Sequence, residues 1–304
     1  MNTLVVILGP TAVGKTALSL QVARHLQTPI LNADSRQIYA EMPIGTAAPT
    51  PQEQQLVRHY FVGTKHVGDY LNASIYEQEA LKTLKQDIFP HQSVALLSGG
   101  SMMYIDAVCQ GIDDIPTVRD DIRTQLKQRL QDEGLESLLR QLQLLDPEHY
   151  NIVDHHNPRR VVHALEICLQ TGKTYTSFRT RTPQPRPFRI LKIGLNRPRE
   201  ELYDRINRRV ESMIDQGLID EARSLLPYRQ ENALQTVGYR ELFDHFDGLT
   251  TLQEAIEKIQ SNTRRYMRKQ LTWFKRDESI HWFHPDQADD VLRFIDTQLQ
   301  DNNN

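Results

Sequence analysis

The sequence predicts an α/β fold: a parallel sheet flanked by helices, with a helical insertion and Arg-rich helices towards the C-terminus. Strand-like apolar runs at 3–8, 29–33 and 93–98 alternate with helix-like segments, and such alternation is typical of a parallel sheet. From 117 to 174 the strand pattern disappears, and leucines recur at helical spacing. A further strand-like run at 188–195 indicates that the chain then returns to the same sheet.

The first strand leads into a P-loop sequence, G-x-x-x-x-G-K-T, at residues 9–16. A glycine-rich turn between a strand and a helix presents successive backbone N–H groups to an anion, so the motif predicts a site for a diphosphate or triphosphate. We expect Lys15 to neutralise the phosphates and the Thr16 hydroxyl to bind Mg²⁺. The expected phosphate-binding residues are Gly9, Thr11, Ala12, Val13, Gly14, Lys15 and Thr16.

The second strand ends at Asp34, within the sequence NADSRQIY of residues 32–39. Loops that follow parallel strands meet at one edge of the sheet, so Asp34 should lie beside the phosphate site. A carboxylate in that position can bind magnesium or accept a proton from a nucleophile, whereas an Asp that only caps a turn is the plain structural alternative. The residues alone leave these three interpretations open. Ser35 and Gln37 are candidates for contacting a polar substrate edge.

The third strand ends in Ser98-Gly99-Gly100 and carries no acidic residue. A P-loop NTPase normally places a second metal-binding carboxylate after such a strand. Its absence in this run argues against simple ATP hydrolysis or motor function.

These patterns divide the chain into three parts. We expect residues 1–116 to form the first part of the P-loop core and 117–187 to form a helical insertion. Residues 188–300 should then resume the core with C-terminal helices. Within the insertion, Asn157-Pro158 predicts a helix start, with an N-cap and proline at the first helical position, and Gly172 predicts its end.

The composition is that of an ordinary globular protein, with 39% hydrophobic and 25% charged residues and a net charge of −3. No apolar run approaches the roughly 20 residues of a membrane span, and no signal peptide pattern opens the chain. We therefore expect a cytoplasmic protein without membrane association. Cys109 and Cys168 lack metal-binding or redox spacing, which predicts buried free thiols.

Charge is unevenly distributed. Residues 1–158 carry 12 Lys and Arg against 18 Asp and Glu, whereas 159–304 carry 24 against 21, and 19 of those 24 are Arg. Arginine forms paired hydrogen bonds with phosphate and stacks on bases. This half is therefore a candidate surface for a polyanion, although a salt-bridged helical surface explains the same counts equally well.

The motifs together resemble the tRNA dimethylallyltransferases, also called tRNA isopentenyltransferases, along nearly the whole chain. The P-loop is generic, but the ordered series that follows it is specific to that family. The matching segments are residues 9–16, 32–39, 44–47, 99–101, 157–160, 202–209, 237–241 and 268–274.

This resemblance implies transfer of a dimethylallyl group from dimethylallyl diphosphate to N6 of the adenosine 3′-adjacent to a tRNA anticodon, position 37. It implies Mg²⁺ as cofactor, a monomeric enzyme, and the anticodon stem-loop as partner, bound by the 117–187 insertion and by the C-terminal helices of 188–300. Asp34 matches the family's general base and is a second candidate metal ligand, Lys15 remains with the donor phosphates, and Arg209 matches an arginine facing the leaving diphosphate. The positions that match tRNA contacts are Asp34, Ser35, Arg36, Gln37, Ser101, Arg123, Arg159, Arg160, Val161, Val162, His163, Gly238, Tyr239 and Arg240.

Three other functions are compatible with parts of the pattern. An adenylate isopentenyltransferase acting on free AMP or ADP would keep the P-loop and Asp34 without needing an Arg-rich insertion. A P-loop kinase of a small metabolite and a non-catalytic RNA-binding protein are the others. The chain also departs from the family's usual G-G-T-G-L-Y, because Met102 and Met103 follow Ser101 and change the wall beside the substrates.

Overall fold

The structure is a computed structural model that describes residues 1–113, 115–179 and 182–300. Its centre is a six-stranded parallel sheet in the order β3-β2-β4-β1-β5-β6. The strands are β1 (Thr3–Leu8), β2 (Ile30–Asn32), β3 (His59–Tyr60), β4 (Val94–Gly99), β5 (Arg189–Leu195) and β6 (His281–Phe283). The predicted α/β class with a parallel sheet is confirmed.

Helices connect and cover the strands. They are α1 (Lys15–His25), α2 (Pro43–Thr46), α3 (Pro51–Leu56), α4 (Ala73–Thr83), α5 (Met102–Gln110), α6 (Asp120–Leu145), α7 (Pro147–Ile152), α8 (Pro158–Thr171), α9 (Tyr175–Phe178), α10 (Arg199–Asp215), α11 (Leu218–Ser224), α12 (Tyr239–Phe246), α13 (Leu252–Phe274) and α14 (Ala288–Gln300). Helix α4 continues into one π-helical turn, Leu84–Ile88, and α6 is interrupted at Gly134, where φ is 77°. None of the described helices is both long and apolar enough to cross a membrane.

Strand β1 lies in the interior of the sheet and is buried on both faces. All six of its residues are buried, and it pairs with β4 on one side and β5 on the other, with Leu4 opposite Ala95 and Ile190. A strand covered on both faces has no polar alternation, which is why β1 and β4 read as continuous apolar runs. The edge strands β3 and β6 have only two and three residues, too few to give a periodic signal.

The chain divides into two compact units: a core unit, Met1–Gln110 with Pro185–Asn304, and an insertion unit, Gly111–Gln184. These divisions lie before the expected boundaries at 117 and 187. At the second division, Arg186 belongs to the core unit, because its guanidinium donates to the Val108 and Ala107 carbonyls and pairs with Glu77. Both cysteines are buried and free, as predicted.

The insertion unit has an apolar core of its own, formed by α6 and α8 around Leu126, Leu142 and Leu165, all fully buried. Helix α8 begins and ends as predicted: the Asn157 side chain accepts the Arg160 N–H at 3.3 Å, and Gly172 closes the helix with a φ of 67°. A side-chain oxygen at the N-cap satisfies an N–H that has no partner within the helix.

Asp146 is a completely buried polar residue of this unit, with 0% of its surface exposed. Its carboxylate accepts the N–H of His149 at 3.0 Å and both the N–H and the hydroxyl of Thr176 at 2.8 and 2.9 Å. It therefore caps α7 and ties α9 to it.

We expect Asp146→Ala to lower the free energy of unfolding of the insertion unit by about 1–3 kcal/mol, since the change leaves buried N–H groups without acceptors. Urea unfolding followed by hydrogen exchange in residues 120–178 would measure it. Asp154→Ala, at a carboxylate with a side chain 55% exposed, is the matched control. Equal effects of the two substitutions would contradict the role assigned to Asp146.

Candidate active site

The P-loop between β1 and α1 depends on two glycines in conformations that side chains disfavour. Gly9 has a φ of 152°, and a Cβ at this position would lie 2.7 Å from the Leu195 carbonyl oxygen of the neighbouring strand. Gly14 has a φ of 114° and is the N-cap of α1. Ala12 also has a positive φ, 64°, although it carries a Cβ. The loop thus turns tightly against β5 and delivers Lys15 and Thr16 to the start of a helix.

The Lys15 amine bends back over the loop, donating to the carbonyls of Gly9 at 3.0 Å and Pro10 at 2.8 Å. Burial lowers the pKa of Lys15 to about 8; the Asp34 charge opposes this shift and the Arg209 charge adds to it. Lys15 is therefore a cation close to its titration point, beside both a carboxylate and a guanidinium.

Other contacts hold the P-loop from outside. Arg197, just before α10, donates to the Val13 carbonyl at 2.9 Å. Arg205, within α10, donates to the Ala12 carbonyl at 2.7 Å. The N–H of Thr11, one of the amides expected to face phosphate, donates to the Gln270 side-chain oxygen at 2.9 Å. The loop is thus fixed partly by side chains that are distant in sequence.

Asp34 lies directly after β2, and its two oxygens have different surroundings. Oδ1 accepts the N–H of Arg36 at 2.9 Å and that of Gln37 at 3.4 Å, so it caps a turn. Oδ2 makes no hydrogen bond within the described residues. Burial lowers the pKa of both Lys15 and Arg209, and the Asp34 charge opposes that lowering in each case. One oxygen is therefore structural, and the other is available at the strand ends.

Arg209, on α10, completes this charged group. Burial lowers its pKa and the Asp34 charge opposes the shift, while one guanidinium N–H donates to the Thr46 carbonyl at 3.1 Å. The side-chain amide of Gln37 donates to the same carbonyl at 3.1 Å and to that of Ala47 at 3.0 Å. The segment 44–47 thus holds both side chains at the site.

Glu221 holds that segment in turn. Its carboxylate accepts the N–H groups of Ile44 and Gly45, each at 2.8 Å, and the Tyr239 hydroxyl at 2.6 Å. Tyr239 is completely buried, and a Cβ on Gly45 would lie 2.5 Å from its hydroxyl. Tyr239 is a predicted tRNA contact, but in this structure its side chain packs inside the core unit and does not offer a surface to RNA.

Ser101 connects the third loop to the second. Its hydroxyl accepts the Ser35 N–H at 2.7 Å, and the Ser101 N–H donates to the Ala33 carbonyl at 3.1 Å. Tyr266 of α13 lies nearby. Although 37% of its surface is exposed, burial and the Asp34 charge raise the pKa of its phenol. Neither Tyr266 nor Gln270 was a predicted site residue. Gln270 lies in the family-matching segment 268–274, but no local pattern shows that its side chain reaches loops so far away in sequence.

The other predicted tRNA-contact residues of the core unit differ in exposure. Arg240 is exposed, while Gly238 has a φ of 102° and donates its N–H to Glu241 at 2.9 Å. Arg36 is half-buried. The structure therefore gathers Lys15, Asp34 and the residues around them at the ends of β1, β2 and β4, with Arg240 on a nearby surface helix of the same unit.

The predicted residues of the insertion unit differ in exposure. Arg159 and Arg160, at the start of α8, are exposed and have no carboxylate within 4 Å among the described residues. Arg123 lies 3.9 Å from Glu166, which His163 also approaches at 3.3 Å. Val162 is half-buried, but Val161 is completely buried in the apolar core of the unit. A side-chain contact between Val161 and RNA is therefore not available in this structure.

The core residues fit a magnesium ion shared with a diphosphate. Thr16 is exposed at the first turn of α1, and Asp34 offers Oδ2. Among the described residues no group of three or more His, Cys, Asp or Glu is arranged to hold a metal. Magnesium commonly takes only one or two protein ligands and completes its shell with substrate phosphates and water. The donor set suits that kind of site.

Comparisons with known proteins identify the family. A family model described as IPP transferase matches residues 37–277. The tRNA dimethylallyltransferase 1 of Bacteroides thetaiotaomicron is 59% identical to this chain, with 98% of this chain and 96% of the relative covered. The tRNA dimethylallyltransferase of Christiangramia forsetii is 46% identical, with 98% and 99% covered.

Solved structures give the same result. The crystal structure of the tRNA isopentenylpyrophosphate transferase of Bacillus halodurans is 34% identical, has a TM-score of 0.73, and covers 99% of this chain and 98% of its own. A structure described as a eukaryotic dimethylallyltransferase acting on tRNA has a TM-score of 0.76 at 22% identity, with 94% of this chain and 74% of that one covered; it supports the fold alone. The strand-end site, the family match and these identities together show that the chain belongs to the IPP transferase family, among the tRNA dimethylallyltransferases.

Proposed function

We propose that this protein transfers a dimethylallyl group from dimethylallyl diphosphate to N6 of the adenosine 3′-adjacent to the anticodon of tRNA. The observation that carries the proposal is the Asp34 carboxylate, with one oxygen fixed in a turn and the other available beside Lys15 and Arg209. A base next to two cations at the mouth of a P-loop suits a reaction that releases diphosphate and removes a proton.

On the donor side, the bond between the allylic carbon and the diphosphate oxygen breaks, and the diphosphate leaves with the electron pair. Lys15 and Arg209 stabilise the negative charge that builds on it. Thr16 would hold Mg²⁺, which neutralises phosphate charge when bound. Asp34 Oδ2 is the alternative metal ligand only if it does not serve as the base. Gly9, Ala12, Val13 and Gly14 shape the loop around the phosphates. The Thr11 N–H is already bound to the Gln270 side chain, so we assign it no phosphate.

On the acceptor side, the adenine N6 amine is a weak nucleophile because its lone pair is delocalised into the ring. Asp34 Oδ2 accepts its proton as the new C–N bond forms, a contribution typically of about 10²–10⁴-fold. The target base must leave the stack of the anticodon loop to reach the strand ends, at a cost of a few kcal/mol. Ser35, Gln37 and Ser101 would contact it there.

We propose that exposed arginines bind the anticodon stem-loop. Arg159 and Arg160 in the insertion unit and Arg240 in the core unit carry charges without carboxylate partners among the described residues, which suits phosphate contacts. Arg36, Arg123, Val162 and His163 are the further candidates. We also propose a cytoplasmic monomer; gel filtration with light scattering tests the oligomeric state.

The proposed function is tested by offering labelled dimethylallyl diphosphate and Mg²⁺ with tRNA, AMP and ATP in separate reactions. We expect label in tRNA alone, on an adenosine next to the anticodon. Transfer to AMP but not to tRNA would identify an adenylate isopentenyltransferase and overturn the proposal, and phosphate transfer from ATP to a small metabolite would identify a kinase.

Asp34→Asn should reduce kcat by about 10²–10⁴-fold while leaving donor affinity largely unchanged, since the amide oxygen can still cap the turn but cannot accept the proton. Single-turnover transfer and donor titration measure the two effects. Loss of donor affinity with normal turnover would instead make Asp34 chiefly a metal ligand.

Donor affinity should be constant below pH 8 and fall above it, by at most about tenfold per pH unit. The free-enzyme pKa of Lys15 is about 8, and a diphosphate binds the protonated amine better, so binding above pH 8 must first take up a proton. Titration between pH 7 and 9.5 measures this. Lys15→Arg stays charged throughout and should remove this fall; the same fall in the variant would exclude Lys15 as its source.

Replacing Arg159, Arg160 and Arg240 together by Ala should weaken tRNA binding and flatten its dependence on salt, by roughly 0.7–0.9 in the slope of log K against log salt for each lost phosphate contact. Filter binding between 50 and 200 mM salt measures it. Arg140→Ala, on an exposed α6 arginine near Glu136, is the matched control. Unchanged affinity at every salt concentration would contradict the proposed RNA surface.

A further inference from the structure

Gln270 is a buried polar side chain at the point where α13 meets two loops of the core unit. Only 2% of its surface is exposed. Its side-chain oxygen accepts the Thr11 N–H of the P-loop at 2.9 Å, and its side-chain N–H₂ donates to the Gly100 carbonyl at 2.8 Å. A single amide therefore joins the loop after β1 to the loop after β4.

Gln270 contacts the second loop closely at Gly100, so a side chain at that position would displace the Gln270 amide. A Cβ there would lie 2.6 Å from the Gln270 side-chain nitrogen and 3.5 Å from the Lys15 amine. The amide of Gln270 thus packs directly on the backbone beside Lys15, and a change in its length or hydrogen bonding is transmitted to that backbone.

The loop after β4 also touches the residues around Asp34. A Cβ on Gly99 would lie 2.2 Å from the Ala33 carbonyl oxygen. The Ser101 N–H donates to that same oxygen, and its hydroxyl accepts the N–H of Ser35. A continuous chain of contacts therefore runs from the P-loop through Gln270 and residues 99–101 to the two neighbours of Asp34.

We propose that Gln270 is a positioning residue that sets the distance between the P-loop and the Asp34 turn, and hence between the leaving diphosphate and the base. The inference rests on the proposed function. A glutamine suits this position because the Thr11 N–H needs an acceptor and the Gly100 carbonyl needs a donor at the ends of one planar group. Methionine has nearly the same length but supplies only a weak acceptor, and glutamate supplies only the acceptor when it is ionised.

The first test replaces Gln270 by Met. We expect kcat for transfer to tRNA to fall by roughly 10- to 100-fold, since a misplacement of about 1 Å between reacting groups has effects of that size, while the Kd for tRNA stays unchanged. Gln260→Met on the same helix, at a half-buried residue with no bond to either loop, is the matched control and should keep wild-type kcat. A Gln270→Met enzyme with wild-type kcat would overturn the proposal.

The second test replaces Gln270 by Glu and measures transfer from pH 6 to 8 as a ratio to wild type. The glutamate accepts from Thr11 at every pH, but it donates to the Gly100 carbonyl only when protonated, and burial favours the protonated form. The Gln270→Glu ratio should therefore rise as the pH falls, while the Gln270→Met ratio stays flat. Loss of packing alone predicts two flat profiles, and that result would overturn the proposal.

The two experiments separate this inference from the function on which it rests. Wild-type enzyme that transfers no label to tRNA would refute the proposed function. If the wild type is active and the Gln270 variants transfer label at the wild-type rate, the positioning role alone is refuted. If Gln270→Met does not fold, which thermal melting detects, the pH profile of Gln270→Glu decides the question.

Discussion

The pairing of β1 with a strand on each side is the constraint on which the site depends. Because β4 and β5 run parallel to β1 in fixed register, the residues after each strand must emerge at one edge of the sheet. The backbones then approach so closely that glycine is required at Gly9 against Leu195 and at Gly99 against Ala33. The loops that carry Lys15, Asp34 and Ser101 are thereby brought together by main-chain geometry, before any side chain interacts.

At that edge of the sheet, two positively charged side chains lie beside one negatively charged side chain. Asp34 acts on both Lys15 and Arg209, and burial lowers the pKa of each cation. Two partly desolvated cations facing one carboxylate leave a net positive field, which is costly without an anion and favours the arrival of a diphosphate. The contacts of Gln37 with Thr46 and of Glu221 with Gly45 fix the segment that accepts a hydrogen bond from Arg209.

The sequence predicted the structural features that depend on short-range patterns of residues. The buried strands β1 and β4, the α8 cap at Asn157 and its stop at Gly172 follow from local composition, and the P-loop and Asp34 were found because they follow strands. Contacts between distant residues could not be found in this way. Thr11 and Gln270 are 259 residues apart, and Tyr239 is buried because of Glu221 and Gly45, not because of its own neighbours. Arg186 joined the core unit for the same reason, through Glu77.

The turn at Asp34 has a consequence for how ready the site is before any substrate arrives. With Oδ1 bound to two backbone N–H groups, the carboxylate loses its rotational freedom during folding, so no further conformational entropy has to be lost there when the substrate binds. A glutamate could supply the same chemistry, but its extra methylene would put the carboxylate beyond this turn and leave it mobile. At this position, therefore, the length of the side chain matters as much as its acidity.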